Sequence, residues 1–227
     1  MKIGLVVAII EEFQVLLDRL KCEVKLNEGP IAVYEYLLDG NTIYAVRSGA
    51  GEIYAAGAVQ HLISAYNVDV ILNFGIVGAL TEETGLLLTC VVDKAVHYGF
   101  DITALEGGVP GQYSDCKDPY IETDRRLLSI AVSLGLKPVI CASADVFVAK
   151  SEKKAELARL YGAEICEMES AGILLTAKRW GVPCLLIKAV SDTIFGGAEE
   201  YDRMERRAAE VCFEALMRVI EELGGKN

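Results

Sequence analysis

Short runs of β-branched and aliphatic residues alternate with longer stretches whose apolar positions recur every three or four residues, from one end of the chain to the other. The first run, residues 2–9, gives way to an amphipathic stretch at 11–20, which predicts a strand, a turn and a helix. Two strands follow at 31–38 and 42–47, joined by Asp39-Gly40-Asn41, whose glycine can supply the positive φ of a tight reversal. Ser48-Gly49-Ala50-Gly51 opens a helical stretch to about Tyr66, and a buried strand at 68–74 ends in glycines. Strands at 89–97 and 136–141 come next, separated by a loop-rich segment and a helix from about Thr123. The last third predicts a helix from Ser151, a short apolar piece at Ile165, a helix over 170–180, a strand over 184–190 and a terminal helix after Tyr201.

Such interleaving predicts the α/β class, a three-layer α/β/α sandwich, and the early hairpin makes its central sheet mixed. No linker, repeat or composition shift divides residues 1–227, so one domain is expected. The longest irregular segment spans 99–119, with Gly107, Gly108, Pro110 and Gly111, a length typical of lids and interfaces.

Composition narrows the class. Hydrophobic residues make up 52% of the chain and charged residues 24%, enough apolar surface for a large core and too much for a disordered protein. Acidic residues outnumber basic ones 33 to 22, and a net charge of -11 argues against nucleic acid or an anionic membrane as partner. A small-molecule substrate fits better. The seven cysteines are scattered, without a C-x-x-C pair and often within apolar runs, which predicts buried free thiols in a cytoplasmic protein. With only His61 and His97, and neither near another ligand at metal spacing, no metal site is expected. Glu11 and Glu12 interrupt the first apolar run too early for a secretory signal, and no span is long enough to cross a membrane.

The glycine turn after Arg47 invites a dinucleotide reading, but a G-x-G-x-x-G fingerprint needs a third small residue where this chain has Tyr54. No G-x-x-x-x-G-K-[ST] occurs either. More informative are carboxylates at the C-terminal ends of predicted strands, where open α/β sheets bind ligands. Glu11 and Glu12 follow the first strand, Glu167-Met168-Glu169 follows the piece at Ile165, and Ser191-Asp192 follows the strand over 184–190. Singly, each has a plain alternative: Glu12 complementing a helix N-terminus, Asp192 capping a turn, Glu169 sitting in a first helical turn. Jointly, they can converge on one crevice walled by Phe147, Val148 and Met168.

Seven segments in order resemble one family. They are 1–12 with its Glu11-Glu12, Ser48-Gly49-Ala50-Gly51, Asn73-Phe74-Gly75-Ile76-Val77-Gly78, Asp101-Ile102-Thr103, Ser143-Ala144-Asp145-Val146-Phe147-Val148, Glu167-Met168-Glu169 and Lys188-Ala189-Val190-Ser191-Asp192. Together they are similar to the nucleoside phosphorylase and hydrolase superfamily, and most closely to its 5'-methylthioadenosine/S-adenosylhomocysteine nucleosidases. The resemblance implies a homodimer that hydrolyses the N-glycosidic bond of adenine thionucleosides without metal or cofactor. It assigns Asp192 to adenine N7 and the 6-amino group as a protonated or proton-sharing acid in an apolar pocket. It further assigns Glu12 to the attacking water and Glu169 to the ribose hydroxyls. Phe147 would stack on the purine, Val148 would offer it backbone hydrogen bonds, and Met168 would pack under the ribose. Ala50, Ile76, Val77, Gly78, Glu167 and Ser191 would complete the substrate site.

Two positions depart from the family pattern: Ile76 stands where a serine is usual, and Ile10 where a third acidic residue is usual. A phosphorylase of the same fold would need an anion pocket, yet no arginine accompanies the glycines after Asn73, and Arg47 alone lies near a glycine turn. Hydrolysis is therefore favoured over phosphorolysis. Hydrolysis of a 6-oxopurine or futalosine-type nucleoside would suit an asparagine at 192 better than the aspartate present. A non-catalytic nucleoside-binding protein could dispense with Glu12.

Overall fold

A computed structural model describes residues 1–26 and 31–225 of the chain. Strand β1 (Lys2–Val7) leads into helix α1 (Ile10–Arg19), then β2 (Val24–Leu26), β3 (Val33–Leu38), β4 (Asn41–Arg47) and α2 (Glu52–Tyr66). Next come β5 (Val70–Ala79), β6 (Thr89–His97), α3 (Thr103–Glu106), β7 (Tyr120–Glu122), α4 (Arg125–Ser133) and β8 (Lys137–Ser143). The chain continues through α5 (Ser151–Tyr161), β9 (Ile165–Glu167), α6 (Ser170–Trp180) and β10 (Cys184–Asp192) to α7 (Gly197–Gly224).

The strands form one mixed sheet, as the alternation predicts. β1 runs parallel between β4 and β5, while β3 returns antiparallel on β4 through a two-residue turn in which Asp39 and Gly40 both have positive φ. β5 also pairs with β10 and β9, and β10, β6, β8 and β9 pair in turn, so five strands close into a ring at that end of the sheet. Period-2 alternation in β1 sends Ile3, Leu5 and Val7 into the apolar layer with Phe13, Leu127, Phe213 and Leu216 of α1, α4 and α7. Val6, with Ile71 and Val77 of β5, packs into the other layer against Leu62 and Ile63 of α2 and Leu174 of α6. These two helical layers make the expected α/β/α sandwich. Each fully buried aliphatic side chain contributes on the order of 1.5–3 kcal/mol by leaving water.

The differences from the sequence pattern are local. β2, β7 and α3 are three or four residues long and carry too few positions for periodicity to register. α3 lies inside the expected irregular stretch, which also stacks Phe100 on Tyr113 with ring centroids 4.2 Å apart. β5 does not stop at its glycines but runs through Gly75 and Gly78 to Ala79, and α7 starts at Gly197 rather than after Tyr201. Five of the seven free thiols are buried, whereas Cys22 and Cys116 are half-buried.

A cavity where buried carboxylates converge

The carboxyl ends of β1, β5, β9 and β10 surround a cavity of about 130 Å³. Glu12, Ala50, Ile76, Val77, Gly78, Phe147, Glu167, Met168, Glu169, Ser191 and Asp192 all line it, together with Ala8, Ile9, Cys166 and Tyr201. Val148 belongs to a small adjoining recess of about 30 Å³ behind Phe147, walled also by Met168 and Asp192. Every site residue expected from the sequence is thus gathered here. A wider groove of about 580 Å³ between residues 115–125 and Gly181–Cys184 contains none of them.

Glu12 sits in the first turn of α1, where its Oε2 accepts from the backbone N–H of Ile9 at 3.3 Å and Oε1 from that of Ile76 at 2.8 Å. Burial raises its carboxyl above the ordinary range, against those two hydrogen bonds and the nearby Lys188 ammonium. Gly75 makes this approach possible, since a Cβ there would lie 2.9 Å from Glu12 Oε1. Ile76 can give no side-chain hydrogen bond, but its main chain gives the one that fixes Glu12 while its side chain joins the core and the cavity wall. Ile10, the other departure, is half-exposed on the helix surface and does not line the cavity.

Glu169 stands just before α6 and its carboxyl accepts from Gly51 N–H at 2.8 Å; Gly51 holds φ at 106°, which a residue with a side chain rarely adopts. Burial and then the neighbouring Glu167 push the Glu169 carboxyl up to about 8. Glu52, at the start of α2, is pushed up to about 8 by the same two causes. It accepts from Ser143 Oγ at 2.6 Å and from the N–H of Gly172, where any Cβ would strike it. Glu167 goes the other way: burial raises it, but the Lys188 ammonium at 3.0 Å, together with the hydrogen bond from the Ser170 N–H, outweighs burial and holds it below the usual range. Although Glu167 lines the cavity, its oxygens face Lys188 and the N-terminus of α6. Near one buried ammonium, Glu52 and Glu169 therefore favour their protonated forms at neutral pH, while Glu12 is raised but kept in reach of ionisation by its two N–H donors and Lys188.

Asp192 ends β10 just past a bulge between Val190 and Asp192 that brings it opposite Gly78. Oδ1 accepts from Ser191 Oγ at 3.0 Å and Oδ2 from Lys154 Nζ at 2.5 Å, with both partners of that ion pair buried. The pocket expected to be apolar thus places a buried ammonium and a hydroxyl on Asp192. Sequence reading missed Lys154, Lys188, Glu52 and Tyr201. The signal for Lys154 was spacing, because it falls in one helical row with the buried Leu157 and Tyr161. Tyr201 lies on α7 and meets Phe147 edge to face, with ring centroids 5.4 Å apart.

A family model described as the phosphorylase superfamily matches residues 2–221. The chain belongs to that superfamily. This superfamily member is 27% identical over 233 residues to the aminodeoxyfutalosine nucleosidase of Campylobacter jejuni, a match covering 98% of this chain and 100% of that protein. It is 26% identical over 232 residues to the 5'-methylthioadenosine/S-adenosylhomocysteine nucleosidase of Actinobacillus succinogenes, with 98% and 100% covered. Its fold overlays the S-adenosylhomocysteine nucleosidase of Streptococcus pyogenes, solved in complex with 5-methylthiotubericidin. The TM-score is 0.92 and the identity 26%, with 98% of this chain and 97% of that one covered.

Proposed function

We propose that the protein hydrolyses the N-glycosidic bond of an adenine nucleoside, such as 5'-methylthioadenosine or S-adenosylhomocysteine, releasing adenine. The observation that carries this reading is the convergence of Glu12, Glu169 and Asp192 on one small cavity. Breaking the C1'–N9 bond builds positive charge on the sugar and negative charge on the purine, so a site must protonate the base, stabilise the cation and supply water. Glu12, raised by burial, suits a base that orients and deprotonates the water. Glu169 holds the ribose hydroxyls beside the developing cation, and Asp192 serves N7 and the 6-amino group. Phe147 and Met168 supply the apolar faces for purine and ribose, and Val148 adds main-chain hydrogen bonds. The nucleosidases to which the chain is similar act on this class of bond, and among the described residues no arginine lines the cavity to hold phosphate.

The active form in this reading is a two-fold homodimer. Its support is the apolar outer face at the start of α2, next to the Gly51 turn, where Ile53 is 80% exposed and Tyr54 65%.

The test is to incubate the purified protein with 6-amino and 6-oxopurine nucleosides, with and without phosphate, and identify the products. Adenine and free sugar formed without phosphate are expected. A phosphate requirement or a preference for 6-oxopurines would overturn the reading.

A further inference from the structure

Lys154 carries a charge where its helix otherwise buries Leu157 and Tyr161, and its side chain has no exposure to solvent. The ammonium spends two of its three donors on Asp192 Oδ2 at 2.5 Å and on the main-chain carbonyl of Thr193 at 2.7 Å. That carbonyl is itself held in place, since Glu200 accepts from both the N–H and the hydroxyl of Thr193. With Oδ1 occupied by Ser191 Oγ, Asp192 meets the cavity as one half of an ion pair, and the proton nearest to it belongs to Lys154. A carboxylate in an ion pair has no proton of its own to give a leaving base.

Resting on the functional reading above, we propose that Lys154 supplies, through Asp192, the proton that adenine N7 takes as the glycosidic bond breaks. The C1'–N9 bond pair passes to the purine as a proton moves from Lys154 Nζ to Asp192 Oδ2 and one moves from Asp192 to N7. Water bonds to C1' and gives its proton to Glu12. Adenine leaves neutral, and the proton on Glu12 returns to the neutral Lys154 amine by way of water in the emptied cavity, which both carboxyls line, and then Asp192. The sum is nucleoside plus water to adenine plus sugar. Lys154 acts through Asp192 and is a positioning residue that also stores the proton.

Lys154→Arg keeps the charge and the hydrogen bonds but cannot release a proton, and Lys154→Gln keeps a donor without charge. Each is to be assayed on 5'-methylthioadenosine and on a 4-nitrophenyl 5-methylthioriboside, whose leaving group departs as an anion, with circular dichroism to check the fold. Both variants are expected to lose roughly 10²–10⁴-fold in kcat on the adenine nucleoside, with KM little changed and the activated riboside cleaved as by the parent. If arginine does not fit the buried site, the glutamine variant carries the test. Parent-like turnover of the adenine nucleoside by either folded variant, or equal losses on both substrates, would overturn the proposal alone. A parent enzyme that releases no adenine would overturn the functional reading and this proposal with it.

Discussion

At the scale of single residues, the site depends on buried carboxyls whose charge is expensive to expose to an apolar wall and is therefore shared out by specific donors. Glu12 is held by two main-chain N–H groups and raised by burial, which suits it to accept a proton during the reaction rather than to bind a ground-state cation. Glu12→Gln keeps the shape and loses the base. Turnover of an adenine nucleoside is expected to fall by roughly 10²–10⁴-fold while calorimetric affinity for the same nucleoside stays near that of the parent. Parent-like turnover would reduce Glu12 to a helix-end charge. Glu12 and Asp192 were legible as carboxylates at the ends of apolar runs that predict strands, whereas Glu169 follows only the short apolar piece at Ile165 and stood out through the family resemblance. Lys154 was not, because Ser151-Glu152-Lys153-Lys154 has the composition of a solvated helix start, and its burial depends on the opposing β10.

At the scale of elements, β5 explains both what the pattern revealed and what it concealed. Glycines ordinarily weaken strands, so the sequence pattern ends the strand at Phe74, yet it continues through Gly75 and Gly78, where side chains from α1 and β10 come closest. A Cβ at Gly75 would meet Glu12 Oε1 at 2.9 Å and one at Gly78 would meet Asp192 Oδ2 at 3.0 Å. Gly75→Ala is expected to cost about 1 kcal/mol of stability and to displace Glu12 from Ile76 N–H, lowering activity far more than the melting temperature. A variant with full activity would show that Glu12 needs no such clearance. The ring formed by β5, β10, β6, β8 and β9 was not legible either, since closure is a matter of pairing between distant segments and leaves no local periodicity.

At the scale of the whole molecule, the buried carboxyls tie stability to pH. Glu52 and Glu169 are pushed up to about 8 in the folded protein, from about 4.5 when exposed to water. Between those values the folded state binds more protons than the unfolded one, so stability falls as pH rises, by at most about 1.4 kcal/mol per pH unit for each proton. Glu167, held low, acts in the opposite sense and loses its contribution only in acid. Urea unfolding at pH 5, 6.5 and 8 should show decreasing stability, with a shallower decline in Glu52→Gln. A flat or rising trend would contradict the burial argument. Sedimentation should give a dimer that Ile53→Glu dissociates; a parent that sediments as a fully active monomer would remove the proposed two-fold contact.

All three scales meet in the claim that water, not phosphate, takes the sugar from adenine in this cavity. The direct measurement is turnover of 5'-methylthioadenosine in ¹⁸O-labelled water with phosphate present, followed by mass spectrometry of the products. The account predicts free adenine and a methylthioribose carrying the label at C1 in every turnover. A sugar 1-phosphate, or an intact nucleoside after prolonged incubation, would contradict it.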